Sequence, residues 1–354
     1  MKGNITRRGK DSWRLKFDIG RDPANGKRRT AYKTVRAKTK SEAQAELRRE
    51  LSRYDAGAWV EPNRLTVATY LETWLTDHAA TEVSAKTAER YGELLRHHVI
   101  PHVGAVALAK LAPVHIQSLR TTLLTEGRRP RARAAADAGP APAPSGLAPQ
   151  TVKHVYRVLR RALRQAVKLR LIAVNPTDAV DPPKVERAEV RALTDDEAGR
   201  VLTAAKGTQL YLPVLIALTT GLRRGELLAL RWDDIDLDGG LFSVRQSLEE
   251  TAAGLRFKPP KTKRSRRTIT LPAVAVAALR EHDKAQKEQR LRAGVRGEHD
   301  ALVFSTRDPE TLAPRPIRPR NVTKEFTRIC RRAEVRWSRF VGQVGGQVKV
   351  YSGC

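Results

Sequence analysis

Cysteine is almost missing from this chain: its 354 residues hold two, Cys330 and Cys354. Two cysteines, both late in the chain, build neither a disulfide framework nor a zinc site. Aromatic residues make up only 5%, and no aromatic base-stacking motif is present, which places a general RNA-binding role last among the candidates. Long apolar runs are missing too. The longest, Leu212 to Leu218, contains Pro213 and falls far short of the roughly 20 residues a membrane-spanning helix needs. Behind the charges of the opening MKGNITRRGK comes no apolar stretch, so no secretory signal is read there. These absences point to a cytoplasmic protein with no membrane partner.

Acidic residues are the other shortage. Thirty-eight Asp and Glu face 67 Lys and Arg, a formal net charge of +29, and the isoelectric point is near 10.8. Like charge at that density repels itself in a compact state and favours a polyanionic partner. Residues 1–57 alone carry seventeen basic and seven acidic side chains. An Arg- and Ala-rich proteome would also raise the charge, but the clustering favours nucleic acid. At 40% hydrophobic residues the chain can still bury substantial cores, and its length suits two or three domains.

Residues 12–36 alternate as a β-hairpin should. Trp13, Leu15, Phe17 and Ile19 interleave with Arg14, Lys16 and Asp18, then Asp22 to Gly26 supply turn chemistry, and Arg28 to Arg36 form a second strand containing Lys33. Thr39 to Glu42 fit a capping box opening a helix to about Tyr54. A small sheet backed by one helix, with Arg14, Lys16, Arg28 and Lys33 on its open face, suits insertion into a DNA groove. A merely solvated face would carry similar charges.

An all-helical stretch follows from about 65 to 176. Leu65, Tyr70, Leu71, Trp74 and Leu75 mark its first apolar stripe, and Ser84 to Thr87 open a helix with Arg90, Arg96 and His97 outside. Residues 128–147 are rich in Arg, Pro, Ala and Gly and read as a flexible insertion. From Pro149 a long helix turns Val152, Val155, Leu159, Leu163 and Val167 inward and Lys153, Arg157, Arg160, Arg161 and Arg164 outward. A polar linker runs from Asp181 to Arg191.

The last third opens with a capping box at Thr194 to Glu197. An apolar helix follows near Tyr211–Leu218, then a break at Gly221 and a helix expected from Leu222 to Trp232. Arg223 and Glu226, three residues apart, share a face on which the carboxylate can orient the guanidinium. Arginine grips phosphate bidentately, and a helix N-terminus adds positive potential. An ordinary surface ion pair has the same spacing. Strands are expected at Leu241–Arg245 and Arg267–Leu271, joined through a basic hairpin at Pro259–Arg266, with helices at Ala273–Gln289 and Val322–Ala333. That hairpin holds Lys261, Arg264 and Arg266, suited to phosphate contacts, and a lysine there can also give up a proton.

Taken in order, the basic sheet, the helical stretch, TGLRRGELLALRWDDID and PPKTKRSRRTITLP resemble the phage integrases of the tyrosine recombinase family. The resemblance spans about Trp13 to Val335. It implies a mainly α fold with small β elements in three parts. They are an N-terminal three-stranded sheet plus helix (1–57) for arm-type DNA, a helical core-binding domain (64–178), and a mixed α+β catalytic domain (190–354). It implies site-specific DNA recombination and integration for a phage or other mobile element. Double-stranded attachment-site DNA and self-association on it are the expected partners. Arg223 would bind the scissile phosphate, Glu226 would support it, and Lys261 would protonate the leaving oxygen. A tyrosine forms a 3′-phosphotyrosine that conserves the bond energy, so no metal or other cofactor is expected.

The family then requires a His-x-x-Arg helix, a further His or Trp, and the tyrosine. No His follows His299, and the His154 to Arg157 match precedes Arg223, at about the number chance supplies. Tyr351 lacks the preceding helix, so no nucleophile is recognised. A frameshift, a premature stop or true divergence would each explain the tail WSRFVGQVGGQVKVYSGC. A catalytically defective, incomplete integrase is the first expectation. A repressor or competitor that occupies recombination sites without cutting is the alternative.

Overall fold

The computed structural model describes residues 3–21, 26–55, 64–127, 145–186, 193–260, 266–292, 301–308 and 314–335, and the backbone of 338–339 and 351–352. Contacts divide the chain into two compact units, Met1–Glu186 and Arg187–Cys354.

In the first unit, β1 (Gly3–Gly9), β2 (Ser12–Arg21) and β3 (Arg28–Arg36) form an antiparallel sheet. The expected β2–β3 pairing is present, with turn residues 22–25 outside the described residues, and β1 completes the third strand. Period-two alternation sends Leu15 and Phe17 into a small core with Ala31 and Leu47 of helix α1 (Lys40–Asp55). Trp13 donates its indole N–H to the Ala37 carbonyl at 3.0 Å, satisfying the one polar atom of a buried ring.

Helices α2 (Val67–Trp74), α3 (Ala80–Glu82), α4 (Ala85–His98), α5 (Ile100–Val103), α6 (Pro113–Glu126) and α7 (Pro149–Lys168) follow. All of them except α3 contribute to one apolar core in which Tyr70, Leu71, Trp74 and Leu75 meet Val152, Val155, Leu159 and Leu163. Two buried tyrosines tie the helices together through their hydroxyls. Tyr70 donates to the Ala162 carbonyl at 2.5 Å, and Tyr156 reaches the Thr177 and Val180 carbonyls at 2.6 and 2.7 Å. Of the expected flexible insertion, 128–144 lie outside the described residues. Its last residue, Leu147, packs on the helical core and donates its N–H to Leu123.

The second unit begins with α8 (Asp195–Ala205), whose capping box forms as expected: Thr194 Oγ1 accepts from the Glu197 N–H, and Glu197 accepts from the Thr194 N–H. Helix α9 (Tyr211–Thr220) is buried from Pro213 to Ala217 and ends at Gly221, at φ +65°. Here glycine relieves the left-handed cost a Cβ would incur. The helix expected from Leu222 to Trp232 is only one turn, α10 (Arg224–Leu227). Leu227 to Leu230 are all buried, so they have no polar face to offer water as a surface helix must. Their backbone instead exchanges hydrogen bonds with Ala301–Val303, at Leu230 and Trp232.

Strands β4 (Ile235–Asp236), β5 (Leu241–Val244) and β8 (Arg267–Thr270) form one sheet. The expected β5–β8 pairing is present, in the register Val244↔Arg267 and Ser243↔Thr268. Their connection is more than a basic turn. It contains a separate hairpin of β6 (Ser247–Thr251) and β7 (Gly254–Lys258). Helix α11 (Ala273–Arg292), a β9–β10 pair (Ser305–Arg307, Pro314–Pro316) and α12 (Pro319–Arg332) follow, and the two helices pack into the core of this unit. A last pairing joins β11 (Ser338–Arg339) to β12 (Tyr351–Ser352). No helix among the described residues is long and apolar enough to cross a membrane.

Candidate functional site

The turn after Gly221 sends four consecutive residues to four different surroundings. Arg223 points outward, its side chain 60% exposed, and its Nη1 lies 3.0 Å from Glu226 Oε1. Arg224 turns the other way, half-buried, and donates to Thr323 Oγ1 of α12. Burial holds its guanidinium below the usual arginine value, with Glu250 acting against the shift. Gly225 lies against β6 so closely that a Cβ would stand 2.5 Å from Ser247 Oγ and 2.8 Å from the Leu248 carbonyl. Glu226 turns inward, its side chain 5% exposed.

Glu226 is the organising group. Its Oε2 accepts the Arg223 backbone N–H at 3.1 Å and Arg267 Nη2 at 2.9 Å. Arg267 comes from β8 and is 26% exposed. Burial alone would raise the Glu226 pKa. Hydrogen bonds from Arg267 and from the Arg223 N–H and guanidinium outweigh it and hold the carboxyl below its ordinary range. One buried carboxylate therefore aligns two guanidinia. Because α10 is a single turn and the Arg223 N–H is taken by Glu226, the anion donors here are guanidinia and not a helix terminus.

The repeated logic lies nearby. Arg245, 66% exposed, is held at 3.2 Å by Asp234, whose side chain is 5% exposed. Neither Arg267 nor Arg245 was singled out in the sequence. The signal available was strand parity, which sets Arg267 opposite Val244 on the inward face of β8. Arg266 is exposed on the other face. Lys261 and Arg264 lie outside the described residues. Tyr351 sits in the two-residue β12, paired with Arg339.

In the first unit the outward face of α7 is as expected. Lys153, Arg157, Arg160, Arg161 and Arg164 line a groove of about 810 Å³ with Lys168. Arg160 is pinned by Asp178 at 2.7 Å, and Arg161 donates to the Tyr91 hydroxyl at 3.2 Å. On the sheet, Arg14 and Lys16 flank the exposed ring of Tyr32, at 5.4 and 6.0 Å from its centroid. Arg28 is exposed and paired with Asp18, whose carboxyl its guanidinium holds low. Lys33 corrects the expectation of an open-face contact. It pairs with Leu15 across the sheet, which turns it toward α1. There it meets Glu50 at 2.8 Å and Glu46 at 3.4 Å. Its charge is spent inside the domain.

Residues 191–342 match the Phage integrase family, and residues 66–124 match the N-terminal SAM-like domain of phage integrases. The chain belongs to the phage integrase family of tyrosine recombinases. It is 26% identical over 358 residues to a tyrosine recombinase XerC-like protein of Caldanaerobacter subterraneus subsp. tengcongensis, covering 96% of this chain and 85% of that one. An integrase of Streptomyces ambofaciens is 29% identical over 325 residues, 91% of this chain and 76% of the relative. Its fold resembles the Tn1549 transposon integrase in complex with a circular intermediate DNA. The TM-score is 0.58 at 19% identity, over 76% of this chain and 79% of that chain. A lambda integrase dimer bound to a COC′ core site gives a TM-score of 0.51 at 17% identity, over 96% and 83%. The family match covers the Arg223 to Glu226 turn and β8, and it stops before Tyr351.

Proposed function

We propose that this integrase-family chain binds double-stranded DNA at recombination sites, self-associates there, and does not complete strand transfer with the residues it contains. The carrying observation is the buried Glu226 with Arg223 held outward beside it, a ready-made clamp for one phosphate. The cationic face of α7 and the Arg14–Lys16 face of the sheet supply further, sequence-independent attraction. The relatives' complexes with circular intermediate DNA and a core site support the same partner. A cytoplasmic location fits this partner.

Phosphoryl transfer to tyrosine needs an in-line nucleophile, charge stabilisation on the equatorial oxygens and a proton for the leaving oxygen. Arg223 supplies part of the second, and Lys261 is the assigned donor for the third. The first lacks a recognised residue, and the His-x-x-Arg partner that would supply a second arginine is not found after Arg223. Such groups act as a unit, so partial sets lose nearly all activity. The test is a nicked suicide half-site carrying the core sequence, incubated with the full chain. Binding without a covalent adduct is expected. An adduct mapping to Tyr351 overturns the inactive reading.

A further inference from the structure

The outer face of the β5–β8 strand pair carries a second constructed anion site. Ser243, Val244, Arg245, Arg266, Arg267 and Thr268 line one groove there. The register sets Ser243 opposite Thr268, and their hydroxyls stand 3.5 Å apart. Arg245 and Arg266 continue the same outward stripe by strand parity. Two of the three guanidinia are fixed from behind by carboxylates that are themselves buried: Asp234 holds Arg245 and Glu226 holds Arg267.

That construction matters physically. An exposed arginine ordinarily loses considerable side-chain freedom when it grips an anion. A guanidinium already held by a buried carboxylate has lost part of that freedom on folding, and its remaining N–H groups stay directed outward. The two hydroxyls add neutral donors between the cations, as phosphate oxygens require. Among the described residues no carboxylate lines the groove.

We propose that this groove seats a backbone phosphodiester of bound DNA next to the phosphate held by Arg223. The link between the two seats is Glu226, which bonds Arg223 on one side and Arg267, a lining residue of the groove, on the other. The proposal rests on the DNA-binding reading and adds a site to it. Arg245 is its principal cation, with Ser243 and Thr268 as the neutral donors.

The experiment measures full-chain affinity for several duplex sequences across a salt series, by fluorescence anisotropy. Arg245→Gln and the double variant Ser243→Ala/Thr268→Val are compared with wild type, each checked by thermal melting. The double variant orphans no buried carboxylate, so it keeps the test open if loss of Arg245 impairs folding. For Arg245→Gln, the expected result is a similar loss of affinity on every sequence. The slope of log affinity against log salt should fall by about one unit, the signature of one lost phosphate contact. The double variant should weaken binding several-fold with the slope kept. Wild-type slope and affinity in both variants would overturn the site while leaving DNA binding intact. Failure of the wild-type chain to bind any duplex would overturn the functional reading itself. In a parallel arm, inorganic phosphate is titrated at constant ionic strength with NMR observation of the arginine side chains. If it shifts Arg245 and duplex DNA does not, the groove holds free phosphate and the proposal falls.

Discussion

Replacing Arg267 by alanine isolates the energetics of the candidate site. Glu226 is 5% exposed and its pKa is held low mainly by the Arg267 hydrogen bonds, working against burial. Removing one member of a buried ion pair typically costs about 3–5 kcal/mol, since the remaining charge is left uncompensated. Here Glu226 keeps the Arg223 N–H and the exposed Arg223 guanidinium, at 3.1 and 3.0 Å. Arg267 itself is about one quarter exposed. A loss of about 2–3 kcal/mol follows, toward or below the lower end of that range. For a unit of this size, that lowers the melting temperature of the Arg187–Cys354 transition by roughly 4–12 °C. The pH dependence separates charge from packing. A carboxyl whose folded pKa is depressed contributes stability that is present above its unfolded pKa and lost as pH falls through the folded value. Arg267→Ala raises the folded pKa of Glu226, so the gap to wild type is largest near neutral pH. It shrinks as pH falls, because Glu226 takes up a proton in the variant before it does so in wild type. The assay is thermal melting from pH 7 downward, with Glu226→Gln as a reference whose own charge term is absent. A gap that stays constant down to the acid limit of folding would refute the reasoning and assign the loss to packing.

The remaining outcomes concern five single substitutions. Arg223→Ala should weaken interference at a single phosphate of a bound half-site with little change in melting. Arg224→Ala should instead lower the melting temperature, because it breaks the contact to Thr323 of α12. Gly225→Ala should destabilise the second unit by about 1–3 kcal/mol through overpacking against the β6 backbone, measured as a shift in urea midpoint. Lys33→Ala should leave the salt dependence of duplex binding unchanged and lower the stability of the sheet, where it pairs with buried Glu50. Arg157→Ala, on the exposed face of α7, should reduce the salt dependence of duplex binding and leave the melting temperature unchanged.

Much of this chain declared itself through local rules. The period-two alternation of Trp13, Leu15 and Phe17, the apolar stripe of α7 and the Thr194 capping box each depend on neighbours within one element. The exposed cations of α7 could be read from the same periodicity. The motif around Arg223 and Glu226 was legible as a pair, since they stand at i and i+3. Arg267 was not, because it reaches Glu226 only when β8 pairs with β5 and sets it facing inward.

The sequence by itself thus determined the family, the basic character and the order of the parts, properties carried by composition, by spacing within single elements and by the succession of motifs. Tertiary structure decided which cations are available. Lys33 and Arg14 lie on neighbouring strands of the same sheet with the same formal charge, yet one meets Glu46 and Glu50 under the sheet while the other stands over Tyr32 on the open face. Arg223 and Arg224 are adjacent, yet one is exposed beside a carboxylate and the other reaches α12. Charge is a property of the residue, whereas availability depends on what the fold places within about 4 Å of it, and Coulomb interaction at that range overrides composition.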